Sequence, residues 1–260
     1  MLAVVRDDLA RGIYPLSHDA TSDRPMTNMI YEGRDLEVLA DMPNYYGWIM
    51  SWFAPYVRGR VVEYGSGAGT VSKLLRPLAD RLTLIEPSAN LLPLLQARFP
   101  RDPAVEIGQA MLEEHSRRLP DGAMDTAVLV NVLEHIEDDR RALAELSRIL
   151  APGGHLLIFV PALPALMSKI DRIHGHFRRY LRRELRMKLE AAGAEPLTCR
   201  YFDLPGVVPW FLINTLLGST SFNPTLLKIY DGAVVPLARG VEAIVTPPLG
   251  KNLIAIARKR

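Results

Sequence analysis

The sequence predicts an α/β fold in which a mainly parallel sheet is covered by helices. A glycine-rich turn at residues 61–69 joins an apolar strand to a helix, and short apolar runs then alternate with helical patterns through residues 81–160. A Pro-Gly-Gly turn at residues 152–154 separates a helix from a further apolar strand. The chain has 260 residues, 48% of them hydrophobic, which is enough for one sizeable core.

The first strand and its turn carry the most informative pattern, which is Val61-Val62-Glu63-Tyr64-Gly65-Ser66-Gly67-Ala68-Gly69. Glycines without Cβ atoms let backbone N–H groups and the next helix approach a ligand closely. We expect that helix to start near Thr70 and to use Val71, Leu74, Leu75 and Leu78 on its apolar face. A dinucleotide fingerprint beginning at Gly65 needs glycine where Thr70 stands, and the sequence has no Gly-Lys-Ser/Thr triplet of a P-loop.

The next strands follow in order, each with a polar residue near its end. Residues 81–86 form the second strand, and Glu86 occupies the place where an acid binds ribose hydroxyls in nucleotide-binding α/β folds. Residues 104–110 form the third strand and its exit loop, which contains Gln109. The fourth strand, residues 126–130, runs into Asn131-Val132-Leu133-Glu134-His135-Ile136-Glu137-Asp138-Asp139. A helix over residues 140–150 and a fifth strand over residues 155–160 complete this part.

These motifs resemble those of class I S-adenosylmethionine-dependent methyltransferases over roughly residues 45–200. The resemblance rests on the E-x-G-x-G-x-G turn, the acid after the second strand, the N-V-L-E-H-I-E-D-D segment and the L-x-P-G-G turn. The resemblance implies a Rossmann-like, seven-stranded, mainly parallel sheet with helices on both faces. Its last strand, residues 251–259, would run antiparallel between the fifth and sixth. It also implies S-adenosylmethionine as the cofactor, S-adenosylhomocysteine as its product and no metal. The cofactor-binding residues that it implies are Glu63, Gly65, Gly67, Gly69, Glu86, Gln109 and Asn131.

The loop after the fifth strand is the predicted catalytic segment. Imidazoles titrate near neutral pH, so His174 and His176 are candidate general bases. Ile170-Asp171 and His176-x-Arg178-Arg179-Tyr180 resemble a stretch of bacterial methyltransferases associated with quinone or glycan methylation, which favours His176. Tyr180 is a further candidate catalytic residue, and Arg178 and Arg179 are candidate substrate-binding residues. The basic residues of this stretch would lie on a helix from Arg178 to Gly193. The alternative to substrate binding is that they form a solvated face of that helix.

The flanks are expected to determine the acceptor. Residues 1–44 are predicted to form an N-terminal extension or lid, residues 45–203 the cofactor-binding core, residues 204–250 an apolar cap insertion and residues 251–260 the final strand. Residues 204–227 are uncharged, but prolines and Asn214 interrupt the apolar run. This pattern favours a cap, a dimer face or a lipid contact over a membrane-spanning helix.

The charge and the cysteine content indicate which classes of partner and which cell compartment to expect. The formal net charge of +2 gives no reason to expect a nucleic-acid ligand. Cys199 is the sole cysteine, which suits a packed strand residue in a cytoplasmic protein. A peripheral contact with the inner face of the membrane is left open. We expect a monomer or homodimer acting on a small-molecule acceptor, with an anionic or lipid-linked acceptor left open. The alternatives are a non-catalytic subunit that binds S-adenosylmethionine and a dinucleotide-dependent oxidoreductase, which Thr70 disfavours.

Overall fold

The computed structural model of the protein describes residues 41–260, so almost all of the predicted N-terminal extension lies outside the described residues. Seven strands form one sheet in the order β3-β2-β1-β4-β5-β7-β6. Strands β1 to β5 are parallel, and β7 lies antiparallel between β5 and β6, as the sequence predicts. The strands are β1 Arg60–Tyr64, β2 Arg81–Ile85, β3 Val105–Gly108, β4 Met124–Val130, β5 Leu150–Pro161, β6 Ala194–Phe202 and β7 Asn252–Lys259.

Helices connect these strands and cover both faces of the sheet. In the described part of the chain they are α1 Pro43–Phe53, α2 Ser72–Leu75, α3 Leu92–Arg98, α4 Leu112–Arg118, α5 Asp139–Ile149, α6 Lys169–Ile173, α7 Arg182–Ala191, α8 Val207–Trp210, α9 Pro224–Ile229 and α10 Val235–Ile244. Short 3-10 turns follow α1 and α2, and others lie before α5 and α6. Turns of π-helix at Phe211–Leu216 and Tyr230–Val234 follow α8 and α9.

The core consists of two apolar clusters, one on each face of the sheet. Side chains alternate between the faces along each strand, so Val61 and Val62 of β1 belong to different clusters. One cluster packs the sheet against α4, α5 and α7. The other packs it against α1, α2, α3 and α10, and it includes Trp48 and Phe53 of α1. This arrangement leaves the loops at the carboxyl ends of the parallel strands available for a site.

Two predicted helices start later than expected. The helix after the glycine turn begins at Ser72 rather than Thr70 and changes to a 3-10 turn at Arg76–Leu78, where Pro77 interrupts the α-helical hydrogen bonds. The basic helix begins at Arg182, so Arg178, Arg179 and Tyr180 lie in the loop before it.

The segment between β6 and β7 is helical and docks against the core. The carboxylate of Asp231 accepts hydrogen bonds from the backbone N–H groups of Asn44 and Tyr45, at 3.1 and 2.8 Å, and so caps the start of α1. The phenol of Tyr45 in turn donates to Asp203 and to Asn252, at the end of β6 and the start of β7. Within residues 41–260, none of the helices combines the length and apolarity that crossing a bilayer requires.

Candidate functional site

The strand order places a crevice at the carboxyl ends of β1 and β4. From β1 the chain proceeds outward to β2 and β3, and it then returns to β4 on the other side of β1. Open α/β sheets bind ligands where the strand order reverses in this way, because the loops from the two neighbouring strands diverge there. The glycine turn follows β1, and the segment beginning at Asn131 follows β4. Both predicted motifs therefore border the crevice.

The glycine turn is packed closely on both sides. The backbone N–H groups of Gly65 and Ser66 donate to the carbonyl of Ile85, at 2.8 and 3.2 Å, which fixes the turn to the end of β2. Gly65 has a φ of 69°, and a Cβ atom there would lie 2.5 Å from Cγ2 of Val132. Any larger residue would be strained and would also displace the loop after β4. The turn after β1 and the loop after β4 are thus in direct contact.

Glu86 lies directly against this turn. Its buried carboxylate accepts hydrogen bonds from the backbone N–H of Gly67 and from that of Ser88, each at 2.8 Å. The two bonds go to different carboxylate oxygens, and each oxygen keeps a further lone pair that can accept a proton from a ligand hydroxyl. The structure therefore brings together Glu86 and Gly67 as the sequence pattern requires for a ribose-binding site.

Glu63 lies behind the turn at the end of β1. Its carboxylate is almost fully buried and accepts a hydrogen bond from the hydroxyl of Ser72, the first residue of α2. Burial raises the pKa of Glu63 to about 8, and the nearby Glu86 adds to this increase. Glu63 therefore holds the start of α2 against the turn, and its direct contact with a cofactor stays a prediction.

Gln109 and Asn131 follow strands β3 and β4, which lie on either side of the β2-β1 pair in the sheet. Gln109 follows β3, is exposed, and donates from Nε2 to the carbonyl of Pro87 at 3.2 Å, which places it beside the segment that carries Glu86. Asn131 is the first residue after β4 and has a φ of 54°, while its N–H donates to the carbonyl of Phe159 in β5 at 2.8 Å. These predicted cofactor residues thus border the crevice from opposite sides of the glycine turn.

A second group of polar side chains connects the loops after β4 and β5. The rings of His135 and His176 meet edge to face with their centroids 4.6 Å apart. The backbone N–H of Phe177 donates to the carbonyl of Glu134 at 2.9 Å, which ties the two loops together. His174 is half-buried on the same loop, and its ring centroid lies 6.2 Å from that of His176.

Asp171 orients His176. Nδ1 of His176 lies 2.9 Å from Oδ1 of Asp171, whose carboxylate also accepts from the N–H and hydroxyl of Ser168 and from Arg179. Burial alone would raise the pKa of Asp171, but the hydrogen bond from His176 and the charge of Arg179 hold that pKa below its ordinary value. Asp171 is thus an ionised acceptor, and it fixes the ring that the sequence singles out.

Glu134 was not assigned a role from the sequence, although it stands in the N-V-L-E-H-I-E-D-D segment. Its side chain is fully buried, and neither carboxylate oxygen has a hydrogen-bond partner within the described residues. Burial raises the pKa of Glu134 to about 7, while the charges of His176 and Arg179 oppose the increase. Partial desolvation of its ring and the charges of the two neighbouring histidines lower the pKa of His135 to about 4. The Glu134-His135 pair in the segment after β4 was visible in the sequence, but the burial of Glu134 was not.

The predicted substrate-binding arginines are engaged in ion pairs within the protein. Arg179 is buried, lies 2.9 Å from Asp171 and stacks on the ring of Trp210, 4.6 Å from its centroid. Arg178 pairs with Asp139 at 3.0 Å and is about a quarter exposed, with 26% of its side chain accessible. These pairs fix the loop that carries His176, and direct contact of the arginines with a substrate stays a prediction.

Tyr180 is fully buried at the end of the same loop. Its hydroxyl donates to Asp139 at 2.8 Å and to the carbonyl of Leu133 at 3.2 Å. Burial, together with the charge of Asp139, raises the pKa of Tyr180 well above its ordinary value. The geometry therefore favours a positioning role for Tyr180, and its predicted role in catalysis is not supported by an open path to its hydroxyl.

Comparisons with known proteins agree with this geometry. A family model described as a methyltransferase domain matches residues 62–158. A probable S-adenosylmethionine-dependent methyltransferase of Mycobacterium tuberculosis is 32% identical over 193 residues, which cover 72% of this chain and 67% of the relative. The matches to two other curated relatives span only 27% and 51% of those relatives' own lengths.

Solved structures share the fold at low sequence identity. An S-adenosylmethionine-dependent methyltransferase from Mesorhizobium loti superimposes with a TM-score of 0.60 at 18% identity, covering 85% of this chain and all of that one. The [4+2]-cyclase SpnF superimposes with a TM-score of 0.54 at 21% identity, covering 83% of this chain and 80% of that one. Because a cyclase shares the fold, the fold alone does not specify methyl transfer.

Proposed function

Because the chain belongs to the class I S-adenosylmethionine-dependent methyltransferases, we propose that it transfers a methyl group from S-adenosylmethionine to an oxygen, nitrogen or carbon nucleophile of a small-molecule acceptor. One observation carries this proposal. The glycine turn beside Glu86 packs directly on Val132, two residues before Glu134, so the predicted cofactor site adjoins the Glu134–His176 group. The cofactor end and the reacting end of a methyltransferase site have to adjoin in this way.

The residues present fit the cofactor. Close packing at Gly65 leaves no room for a Cβ atom, and the free lone pairs of Glu86 suit the two ribose hydroxyls. We assign the methionine end to the glycine turn and Asn131, with Glu63 behind them, and the adenine end to Gln109. When bound, S-adenosylmethionine supplies an electrophilic methyl group on a sulfonium. The chain's part is to hold the acceptor's nucleophile in line with that group, which contributes to the rate through proximity.

We assign the activation of the nucleophile to His176. Asp171 binds Nδ1, which leaves Nε2 as the nitrogen that can act on an acceptor. An ionised carboxylate at Nδ1 stabilises the ring when it carries a proton, as a general base requires. The resemblance to the H-x-R-R-Y stretch favours His176, so we give His174 the smaller role.

The loop arginines and Tyr180 would support this step. Arg178 is partly accessible, so it is the cation that an anionic acceptor can reach, whereas Arg179 acts through Asp171 and Tyr180 acts through Asp139. The insertion between β6 and β7 exposes large apolar side chains, with Leu217 77% and Ile244 88% accessible. These surfaces support a lipid-linked acceptor, one of the two kinds that the sequence leaves open.

Transfer of labelled methyl groups tests this proposal. Purified full-length protein would be incubated with S-adenosylmethionine labelled in the methyl group and with a cell extract separated into small-molecule, lipid and macromolecular fractions. We expect label to enter a component of the small-molecule or lipid fraction, and to be lost with the Glu86→Ala variant. Binding of S-adenosylmethionine without transfer to any fraction would favour the non-catalytic subunit. Label found only in protein or nucleic acid would contradict the proposed acceptor class.

A further inference from the structure

Three side chains beside the proposed cofactor site form a set of metal-ligand donors. Glu134, His135 and His176 each present one ligand atom, a carboxylate oxygen or an imidazole nitrogen, and these atoms all lie within 4.8 Å of one another. We call them the Glu-His-His cluster. Glu134 and His135 belong to the 3-10 turn after β4, and His176 reaches them from the loop after β5. The backbone bond from Phe177 to Glu134 holds the two loops at this separation.

A second, independent observation concerns the carboxylate of Glu134. Its side chain has no solvent exposure, and both of its oxygens are without a hydrogen-bond partner in residues 41–260. An unpaired carboxylate is among the costliest groups to bury, and buried charges are generally paired or bound to a metal ion. The cluster thus contains an acceptor whose partner has to come from outside the described chain.

The arrangement around His176 is also typical of a metal ligand. Histidines that bind metals usually donate their other ring N–H to a carboxylate or carbonyl, which fixes the tautomer and the ring orientation. Asp171 takes this place at 2.9 Å from Nδ1, and it is itself held by Ser168 and Arg179. Nε2 is then the nitrogen available to the cluster.

We infer that the Glu-His-His cluster binds a divalent cation of the zinc or cobalt type. Two imidazoles and one carboxylate suit these ions, and three protein ligands leave a coordination position open, as in catalytic zinc sites. Ligands of a tetrahedral ion lie roughly 3.4 Å apart, so the side chains have to close by about an ångström around it. Sequence analysis predicts no metal, and the buried Glu134 is the feature that leads to this different conclusion.

This inference rests on the proposed function and makes it more specific. A cation in the open site would hold the hydroxyl oxygen of an acceptor and lower the pKa of that hydroxyl. The hydroxyl releases its proton to solvent, its oxygen forms the new bond to the methyl carbon, and the sulfonium is left as a neutral thioether. The acceptor class is therefore a hydroxyl compound. With the cation bound, Nε2 of His176 is a metal ligand, and this role replaces the direct proton transfer to His176 proposed above.

Calorimetry with the metal-stripped full-length protein tests the site without reference to catalysis. Titration with zinc chloride should show one cation per chain, and cobalt chloride should give the visible absorption of a tetrahedral site. Glu134→Gln and His135→Ala should each weaken zinc binding at least tenfold. His135 is exposed, so His135→Ala is expected to fold even if Glu134→Gln does not. His174→Ala is the matched control and should bind zinc as the wild-type protein does.

The outcomes separate this inference from the proposed function. Zinc binding that is absent, or that both variants retain at wild-type strength, would overturn the cation site. Methyl transfer that continues at the wild-type rate after metal removal would overturn its role in the reaction, while leaving the proposed function in place. The metal-free protein should still bind S-adenosylmethionine. If the protein takes up zinc through the cluster but does not bind S-adenosylmethionine with or without zinc, the proposed function fails and the cation site stands.

Discussion

Replacement of Glu86 by glutamine should weaken the binding of S-adenosylmethionine without unfolding the protein. The carboxylate accepts from Gly67 and Ser88 at 2.8 Å and has lone pairs left for the two ribose hydroxyls. Glutamine keeps one acceptor oxygen, but it replaces the other with an NH₂ group that cannot accept a hydrogen bond. The variant therefore loses about one charge-assisted bond to the ligand.

The expected size of this effect follows from that bond. A hydrogen bond to a charged group contributes roughly 1.5–3 kcal/mol, which corresponds to a roughly 10- to 150-fold increase in Kd. S-adenosylhomocysteine has the same ribose, so its affinity should fall by the same factor. Equal losses for both ligands would locate the effect at the ribose and away from the methyl group.

Isothermal titration calorimetry is the assay, with the melting temperature as the measure of folding. Glu106→Gln is the matched control, because Glu106 is an exposed carboxylate in the neighbouring strand β3. The Glu106→Gln variant should bind both ligands with the affinity of the wild type. A folded Glu86→Gln variant with wild-type affinity for both ligands would refute the ribose assignment.

Three further predictions concern the turn, the catalytic loop and the buried acid. Gly65→Ala should weaken S-adenosylmethionine binding at least tenfold in calorimetry, because its Cβ has no room beside the loop after β4; wild-type affinity would contradict the close packing. His176→Ala should lower kcat by roughly a hundred- to ten-thousand-fold with little change in cofactor Kd, and His174→Ala should lower kcat less. A His176→Ala variant with the kcat of the wild type would exclude His176 from catalysis. Because folding raises the pKa of Glu63 to about 8 from 4.5, its contribution to stability is lost as pH rises between these values. Glu63→Gln should thus gain Tm relative to the wild type from pH 5 to 8, and parallel pH profiles would contradict this.

The fold was largely predictable because its signals are local. The strand periods, the glycine turn and the Pro-Gly-Gly turn are each read within a few residues. The structure confirms the seven-stranded, mainly parallel sheet and the antiparallel position of β7. Glu86 beside Gly67 was predictable for the same reason, because the motif fixes the spacing between two neighbouring strand ends.

The loop after β5 was less predictable because its structure depends on distant residues. Arg178, Arg179 and Tyr180 continue the basic pattern of a helix, but ion pairs and hydrogen bonds to Asp139 and Asp171 hold them outside it. Nothing in the local sequence specifies these partners. The buried state of Glu134 was equally hidden, since a glutamate in a polar segment is usually exposed.

The most direct test of the central claim is a calorimetric titration of the full-length protein with S-adenosylmethionine and, separately, with NAD. We predict saturable binding of one S-adenosylmethionine per chain and no binding of NAD, because the turn at Gly65–Gly69 and the carboxylate of Glu86 form a site for the former. Binding of NAD without binding of S-adenosylmethionine would contradict the assignment of the cofactor and, with it, the proposed methyl transfer.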